Sequence, residues 1–385
     1  MLPRLSKYRK TVNSRQVLTE DGEILVVNAT GGDTYVNDGQ GRGIGLIPSV
    51  ITPVLSKRKP HKVTAQIRRR RWQEIASTGG AGSIFRGGIT WHNNTFYVGR
   101  STLSPPNAFR EVANEWVAID SIPNAILSLA SFKGELYAGC AYSTAVKIYM
   151  LDSETSWIAK YTPPSNVYQI MTFLDDDTTL YAGTFCDDLP YYVLQSTGGS
   201  WSVHSSITSP EILDRGYEID YNRFWMYGMC SADGVLYVSG TWSTGVGSTP
   251  DTYTDEILAY YSGAWHLERT GGTDGNVRRM FTVYNQSSGE YDIYAIIDWQ
   301  IFKRNNSTKT WSLFFTHTTS ILDYKYFQGV HWICDFTKIY ILDLDTPKFR
   351  EIFDTEKFGQ ILNTFGASPL RLLCAGVADI YEYKL

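Results

Sequence analysis

The sequence predicts an all-β fold: a seven-bladed β-propeller over residues 72–385, preceded by an extended basic arm over residues 1–71. Three observations predict it. The 385 residues include 33 Gly, 26 Tyr, 17 Phe and 11 Trp with only 19% charged residues, a composition of short aromatic strands and turns, not of a helical bundle. Two unrelated sequence markers recur with one period. The two ends of the repeating region are incomplete in complementary ways.

The first marker is a short β run ending in small residues: Tyr97-Val98-Gly99-Arg100, Tyr137-Ala138-Gly139-Cys140, Tyr181-Ala182-Gly183-Thr184 and Tyr237-Val238-Ser239-Gly240. Weaker forms are Tyr294-Ala295-Ile296-Ile297, His331-Trp332-Ile333-Cys334 and Cys374-Ala375-Gly376. The second marker is Trp72, Trp116, Trp157, Trp201, Trp265 and Trp311, with Phe349 in the seventh place. Both series advance by roughly 46 residues, the length of a propeller blade.

Within a unit four strands are readable. Ile126–Phe132 is an inner strand, Lys133-Gly134 a turn, and Glu135–Gly139 the returning strand. Val146–Leu151 is a third strand, and Asp152–Thr155 bends the chain before the fourth at Trp157. Asn93-Asn94 and Asp233-Gly234 fill the same first turn elsewhere, where residues that tolerate positive φ are needed. The last unit ends at Ala378–Leu385 without a fourth strand, while Trp72–Ser77 is an outer strand without a unit. Pairing of residues 72–78 with 378–385 closes the ring and removes both exposed edges.

Leu136-Tyr137-Ala138-Gly139, then Ile148-Tyr149, Asp152 and Trp157, resembles the order of a kelch repeat. Similar sets run from Leu180 to Trp201 and from Leu236 to Trp265. The resemblance covers about 310 residues and implies a propeller of four-stranded blades. The kelch double glycine is reduced to one here, and the fifth and sixth units lack it.

Charge is segregated. Residues 1–72 carry fourteen Lys/Arg against five Asp/Glu, a net +9, and the remainder a net −13. Such a basic leader marks an interaction segment. Its candidate docking residues are Arg4, Lys7, Arg9, Lys10, Lys57, Arg58, Lys59 and the run Arg68-Arg69-Arg70-Arg71. Asp21-Gly22 centres a β-hairpin over residues 16–27. Gly31–Gly45 is too glycine-rich to pack alone, and the arm is expected to order on a partner. Five cysteines without a CxxC pair favour a reducing origin and buried apolar roles. The N-terminus lacks the apolar stretch of a secretory signal, and no apolar run is long enough to span a membrane as a helix.

Long insertions mark one face, because b–c loops and interblade loops emerge together. They are Ser101–Glu111, Ser209–Trp225 and Thr241–Asp255. Their aromatic residues Tyr217, Tyr221, Trp225, Trp242 and Tyr253 are binding candidates. No nucleotide loop, zincin motif or nucleophile elbow is present, and no metal or cofactor is expected. Asp175-Asp176-Asp177 resembles part of a calcium loop but occupies a hairpin-turn position. Asp187, Asp188, Asp298 and Asp335 are the carboxylates a glycan-cleaving propeller would use, although Asp298 and Asp335 fall at equivalent turns.

These features lead to the expectation of a non-catalytic connector docking through its arm and presenting a loop-rich face. The layout resembles the tail-nozzle proteins of short-tailed bacteriophages. That resemblance implies a virion location after assembly in the host cytoplasm, structural protein partners, a homo-oligomeric ring and non-specific proximity to DNA. The alternatives are a propeller that binds or cleaves surface glycans and a cytoplasmic kelch-type adaptor.

Overall fold

The computed structural model describes residues 13–18, 24–30, 33–37, 43–46, 72–77, 84–113, 115–141, 146–187, 189–208, 221–246, 249–271, 277–355, 362–376 and 379–383. Every helix or strand among them is a β-strand. The chain divides into two units, residues 1–73 with 382–385, and residues 74–381.

The leader holds β1 (Asn13–Leu18), β2 (Ile24–Thr30), β3 (Asp33–Asn37) and β4 (Gly43–Leu46), in one antiparallel sheet of that order. Leu18 faces Ile24 and Gln16 faces Val26 across the first hairpin. The arm is therefore not extended throughout. Gly31–Gly45, read from its glycine content as unable to pack alone, supplies β3 and part of β4. Glycine keeps its backbone donor and acceptor, so it extends a ladder even where it contributes no side chain to a core.

The second region is a series of four-stranded antiparallel meanders. The first comprises β6 (Ile84–His92), β7 (Thr95–Arg100), β8 (Ala108–Val112) and β9 (Glu115–Ala118); β5 (Trp72–Ser77) precedes it. The second comprises β10 (Ala125–Phe132), β11 (Glu135–Ala141), β12 (Ile148–Leu151) and β13 (Trp157–Tyr161). The third comprises β14 (Val167–Asp175), β15 (Leu180–Cys186), β16 (Tyr191–Ser196) and β17 (Trp201–Ile207). The fourth comprises β18 (Tyr221–Ala232), β19 (Val235–Val246), β20 (Thr249–Tyr261) and β21 (Ala264–Thr270). The fifth comprises β22 (Val277–Asn285), β23 (Glu290–Ile297), β24 (Gln300–Asn305) and β25 (Thr310–Thr316). The sixth comprises β26 (Asp323–Phe327), β27 (Val330–Cys334), β28 (Lys338–Asp343) and β29 (Lys348–Asp354). The last sheet has the order β30 (Leu362–Ala367), β31 (Leu372–Gly376), β32 (Asp379–Tyr383) and then β5. Its fourth strand thus comes from the other end of the sequence, and the rings of Trp72 and Tyr383 lie 5.5 Å apart.

Both sequence markers acquire a place. The Tyr-x-Gly series falls on the second strands, and the Trp/Phe349 series falls at the first or second residue of each fourth strand. First strands neighbour one another in a cycle: β6 lies against β10, then β14, β18, β22, β26 and β30, and β30 lies against β6. Small residues make this approach feasible. A Cβ on Gly99 would meet Ile126 Cγ2 at 2.2 Å, and one on Gly139 would meet Ile170 Cγ2 at 2.6 Å. The marker glycine of a second strand is therefore the seat of the next meander's first strand. In the fourth meander the small pair is exchanged: Gly228 faces Ser239, where Ser128 faces Gly139 and Thr172 faces Gly183.

The turns follow their chemistry. Asn93, Asn94, Lys133, Gly134, Asp233 and Gly234 all have positive φ, the conformation that glycine and short polar side chains enter at least cost. Buried ion pairs add to the apolar contacts between neighbouring meanders. Arg304 holds Glu268 through two bonds of 2.7 Å, and Arg371 holds Glu111 at 2.7 and 2.8 Å across 260 residues of sequence.

Two expected insertions are corrected. Thr241–Asp255 is not a loop: most of it lies in β19 and β20, strands of 12 and 13 residues that pair from Leu236↔Tyr260 out to Val246↔Thr249. The end of Ser209–Trp225 likewise belongs to β18, where Trp225 pairs with Thr241 and Phe185. Thr, Tyr and Trp suit a pleated surface, so a polar, aromatic insertion extends the sheet instead of leaving it. At the first insertion the chain does leave the sheet, between Arg100 and Ala108. The buried Asn107 fastens it by donating to the carbonyls of Ile122 (2.7 Å) and Asn124 (2.9 Å).

Candidate functional site

The repeat supplies its own standard for what the architecture needs, and one place departs from it. Ile89, Leu129, Phe173, Met229, Met280 and Phe365 occupy one register position on six first strands, facing Val98, Ala138, Ala182, Val238, Ala295 and Cys374. All six are apolar. On β26 the same position, facing Trp332, is Lys325. One residue earlier, Ser128, Thr172, Gly228 and Thr364 are small, whereas β22 places Arg279 there, facing Ile296, and β26 places Tyr324, facing Ile333. The two cations sit on successive meanders.

Both line a cavity of about 350 Å³ bounded by residues from β6, β10, β14, β22, β26 and β30. Asp323, 1% exposed, fixes its polar wall. Its Oδ1 accepts from Arg279 Nε at 2.5 Å and from the Tyr324 amide at 2.9 Å. Its Oδ2 accepts from Thr364 Oγ1 and the Phe365 amide, both at 2.8 Å. Four donors therefore occupy the four lone-pair directions of this carboxylate. They hold Arg279 by its Nε, and its Nη1 and Nη2 have no hydrogen-bond partner among the described residues. Gly87, whose φ of +78° favours glycine, lies beside that guanidinium: a Cβ there would stand 3.7 Å from Nη2, an ordinary van der Waals contact.

The Lys325 ammonium has neither hydrogen bond nor ion pair among the described residues. Burial pushes its pKa below the usual lysine value; Asp323 opposes this and Arg279 adds to it. On the same strand, Tyr324 stacks on Phe281 at 3.7 Å and its hydroxyl meets His331 Nδ1 at 2.8 Å. Burial lowers the His331 pKa to about 4, so its ring stays neutral at pH 7. Phe173, Phe281, Ile89 and Leu129 make the other walls apolar. The site is a cavity with both polar and apolar walls, in which Arg279 and Lys325 stand beside one saturated carboxylate.

The candidates named from sequence lie elsewhere. Arg4, Lys7, Arg9, Lys10, Lys57, Arg58, Lys59, Arg68, Arg69, Arg70, Arg71 and Tyr217 lie outside the described residues. Tyr221 and Tyr253 fall on β18 and β20. Trp225 stacks on Phe185 at 4.7 Å with the rings 2° from parallel. Trp242 is 3% exposed and packs against Tyr191 and Phe224. It is a core residue, not a surface for stacking sugars.

The carboxylates named for glycan chemistry are held by turns and ion pairs. Asp298 accepts from Ser320 and has positive φ. Asp335 accepts from Thr319 Oγ1 at 2.7 Å, Tyr340 OH at 2.8 Å and the amides of Thr337 and Lys338 at 2.8 and 2.6 Å. Burial alone would raise its pKa, but these bonds together with His317 hold it well below the usual carboxylate range. Asp187 pairs with Arg223 at 3.0 Å, and Asp188 lies outside the described residues. Asp175 and Asp176 cap their own turn through the amides of Asp177, Thr178 and Thr179. Among the described residues no group of three His, Cys, Asp or Glu is placed to hold a metal ion.

Sequence reasoning missed Arg279, Asp323 and Lys325. Charge inside a first strand is not by itself the signal, since Arg86, Asp175, Arg223 and Arg278 also lie on first strands; the signal is charge at a position that is apolar or uncharged in the other meanders. It is readable only once the strands are in register.

No family model matches the chain, and no curated protein matches it. Among solved structures it is similar to the extracellular domain of the one-component system BT4673 from B. thetaiotaomicron, with a TM-score of 0.55 at 12% identity. A second structure of that extracellular domain, described as belonging to a hybrid two-component system, gives 0.54 at 12%. Each likeness covers 82% of this chain, which spans 40% of the neighbour's length. The computationally designed Ika8 protein is similar over 98% of both chains, with a TM-score of 0.50 at 10% identity. At such identities the likeness concerns the fold alone.

Proposed function

We propose that the meanders form a kelch-like, seven-bladed β-propeller, and that the chain is a non-catalytic connector of a larger assembly, docking through its basic leader. The cyclic adjacency of the first strands supports the propeller: a series of sheets whose last first-strand meets the first one is a closed ring. The shared sheet of β5 with β30–β32 supports the closure, since it pairs the two ends of the region and leaves neither edge open.

One observation carries the connector reading. The segment with net +9 holds its own four-stranded sheet and leads directly into β5, the strand that completes the C-terminal sheet of a body with net −13. The excess positive charge lies in residues 1–12 and 47–72, on either side of the sheet in sequence; such a basic segment is suited to pairing with an acidic neighbour of the same kind, and repetition of that contact builds a homo-oligomeric ring. In the bacteriophage reading, the nearest resemblance for this layout, such a ring is a tail-nozzle component of the virion. Its acidic bodies would repel DNA passing close by.

The test is the mass in solution of the full chain and of a chain starting at Trp72, by light scattering at physiological ionic strength. The full chain is expected as a discrete oligomer that dissociates as salt is raised, and the truncated chain as a folded monomer. Equal masses for the two would contradict docking through the leader.

A further inference from the structure

We propose that the cavity between the first strands is a binding site for a small organic acid, a carboxylate carried on an apolar body, whose two oxygens are taken by the Nη1 and Nη2 groups of Arg279 and by the Lys325 ammonium. The proposal is independent of the connector reading.

The departure from the repeat is the first ground. Six equivalents of Lys325 are apolar, and the equivalents of Arg279 are four small residues and the uncharged Tyr324, so neither cation is required for strands to pack. An unpaired ammonium in a cavity costs free energy unless something compensates it. Asp323 cannot supply that by hydrogen bonding, because Arg279, Tyr324, Thr364 and Phe365 already fill its acceptor sites. It serves instead to orient Arg279, leaving the outer edge of the guanidinium turned to whatever enters.

Charge and shape then select the ligand. Arg279 and Asp323 offset each other among the residues lining the cavity, so a protonated Lys325 leaves one positive charge, which one carboxylate neutralises and a phosphate dianion would overshoot. The planar fork of a guanidinium matches the two oxygens of a carboxylate. Phe173, Phe281 and Leu129 offer apolar and aromatic surface beyond the cations. A volume of about 350 Å³ lies at the small end of ligand pockets, enough for an aromatic acid of a single ring.

Benzoate is the probe, titrated calorimetrically into the full chain at pH 7, with uncharged benzamide and inorganic phosphate as its controls. Benzoate is expected to bind at least about tenfold more tightly than either, the loss that follows from removing one charge-assisted bond. Lys325→Met, which installs the residue type found at Met229 and Met280, is expected to lose at least about tenfold in benzoate affinity while remaining folded. Lys325→Arg, which keeps the charge, is expected to retain binding. Absence of benzoate binding overturns the proposal. So does equal binding of benzamide, which would mean an apolar cavity only. Tighter binding of phosphate overturns the carboxylate assignment, and unchanged affinity in Lys325→Met overturns the role of the ammonium.

Discussion

The contact between the second and third meanders and that between the fifth and sixth are built to opposite specifications. At the former, Gly139 and Ser128 face each other, and the glycine has no room for a Cβ because Ile170 of the next first strand fills the space. At the latter, the position of Ser128 is taken by Arg279, which reaches an aspartate on the next first strand, and the position of Leu129 on that strand is taken by Lys325. The contrast teaches that close packing by small and apolar residues is the architectural rule. Arg279 and Lys325 depart from that rule on the first strands themselves, whereas the pairs Arg304–Glu268 and Arg371–Glu111 join neighbouring meanders elsewhere.

The largest expected effect comes from breaking the charged seam on its anionic side. Asp323→Ala leaves Arg279 buried beside Lys325 without its carboxylate and strands the donors of Thr364 and Phe365. Its cost is expected at about 3–5 kcal/mol in urea unfolding. A cost under about 1 kcal/mol would mean that the seam is solvated and the contrast is false. The glycine seam is next. Gly139→Val drives a side chain into Ile170 and is expected to cost about 1–3 kcal/mol; the same change at Gly134, a turn with nothing within 4 Å of a Cβ, would show only the strain of its positive φ.

Lys325→Met is expected to act in the opposite direction, raising stability by about 1 kcal/mol because it removes a desolvated charge. The charged groups that act on this ammonium are Asp323 on its own strand and Arg279 on β22. Its folded pKa is depressed below the unfolded value of a lysine, so the unfolded chain binds the extra proton. The penalty is fully present below the folded pKa and is relieved as pH rises through it toward that of a free lysine. The gain from Lys325→Met should therefore shrink in alkaline solution, and a pH-independent gain would show that the ammonium is not the cause. The smallest effect is expected at the surface. Arg110 pairs with Glu154 in water, and Glu154→Ala should change stability by less than about 1 kcal/mol.

The sequence makes the strand rhythm legible because turns need particular residues: Asn93-Asn94, Lys133-Gly134 and Asp233-Gly234 punctuate it without reference to the rest of the chain. The seam was only half legible. Gly139 was readable as a marker, but that it seats Ile170 depends on a contact 31 residues away. Thr241–Asp255 was misread because its length and polarity resemble a loop, while its Thr, Trp and Tyr residues suit the two long strands they form. Arg279 and Lys325 were invisible for a different reason. A bulge between Val277 and Arg279 shifts the register, and only the paired strands reveal that these cations stand where other meanders place serine and leucine.

The proposed closure of the ring rests on β5. Two truncations separate it from the leader: one chain starting at Trp72 and one starting at Thr78. If β5 completes the last sheet, the chain from Trp72 unfolds at the same urea midpoint as the body of the full-length protein. The chain from Thr78, deprived of a fourth strand and of the Trp72–Tyr383 contact, should lose about 3 kcal/mol or more. Identical midpoints for the two truncated chains would contradict the closed ring.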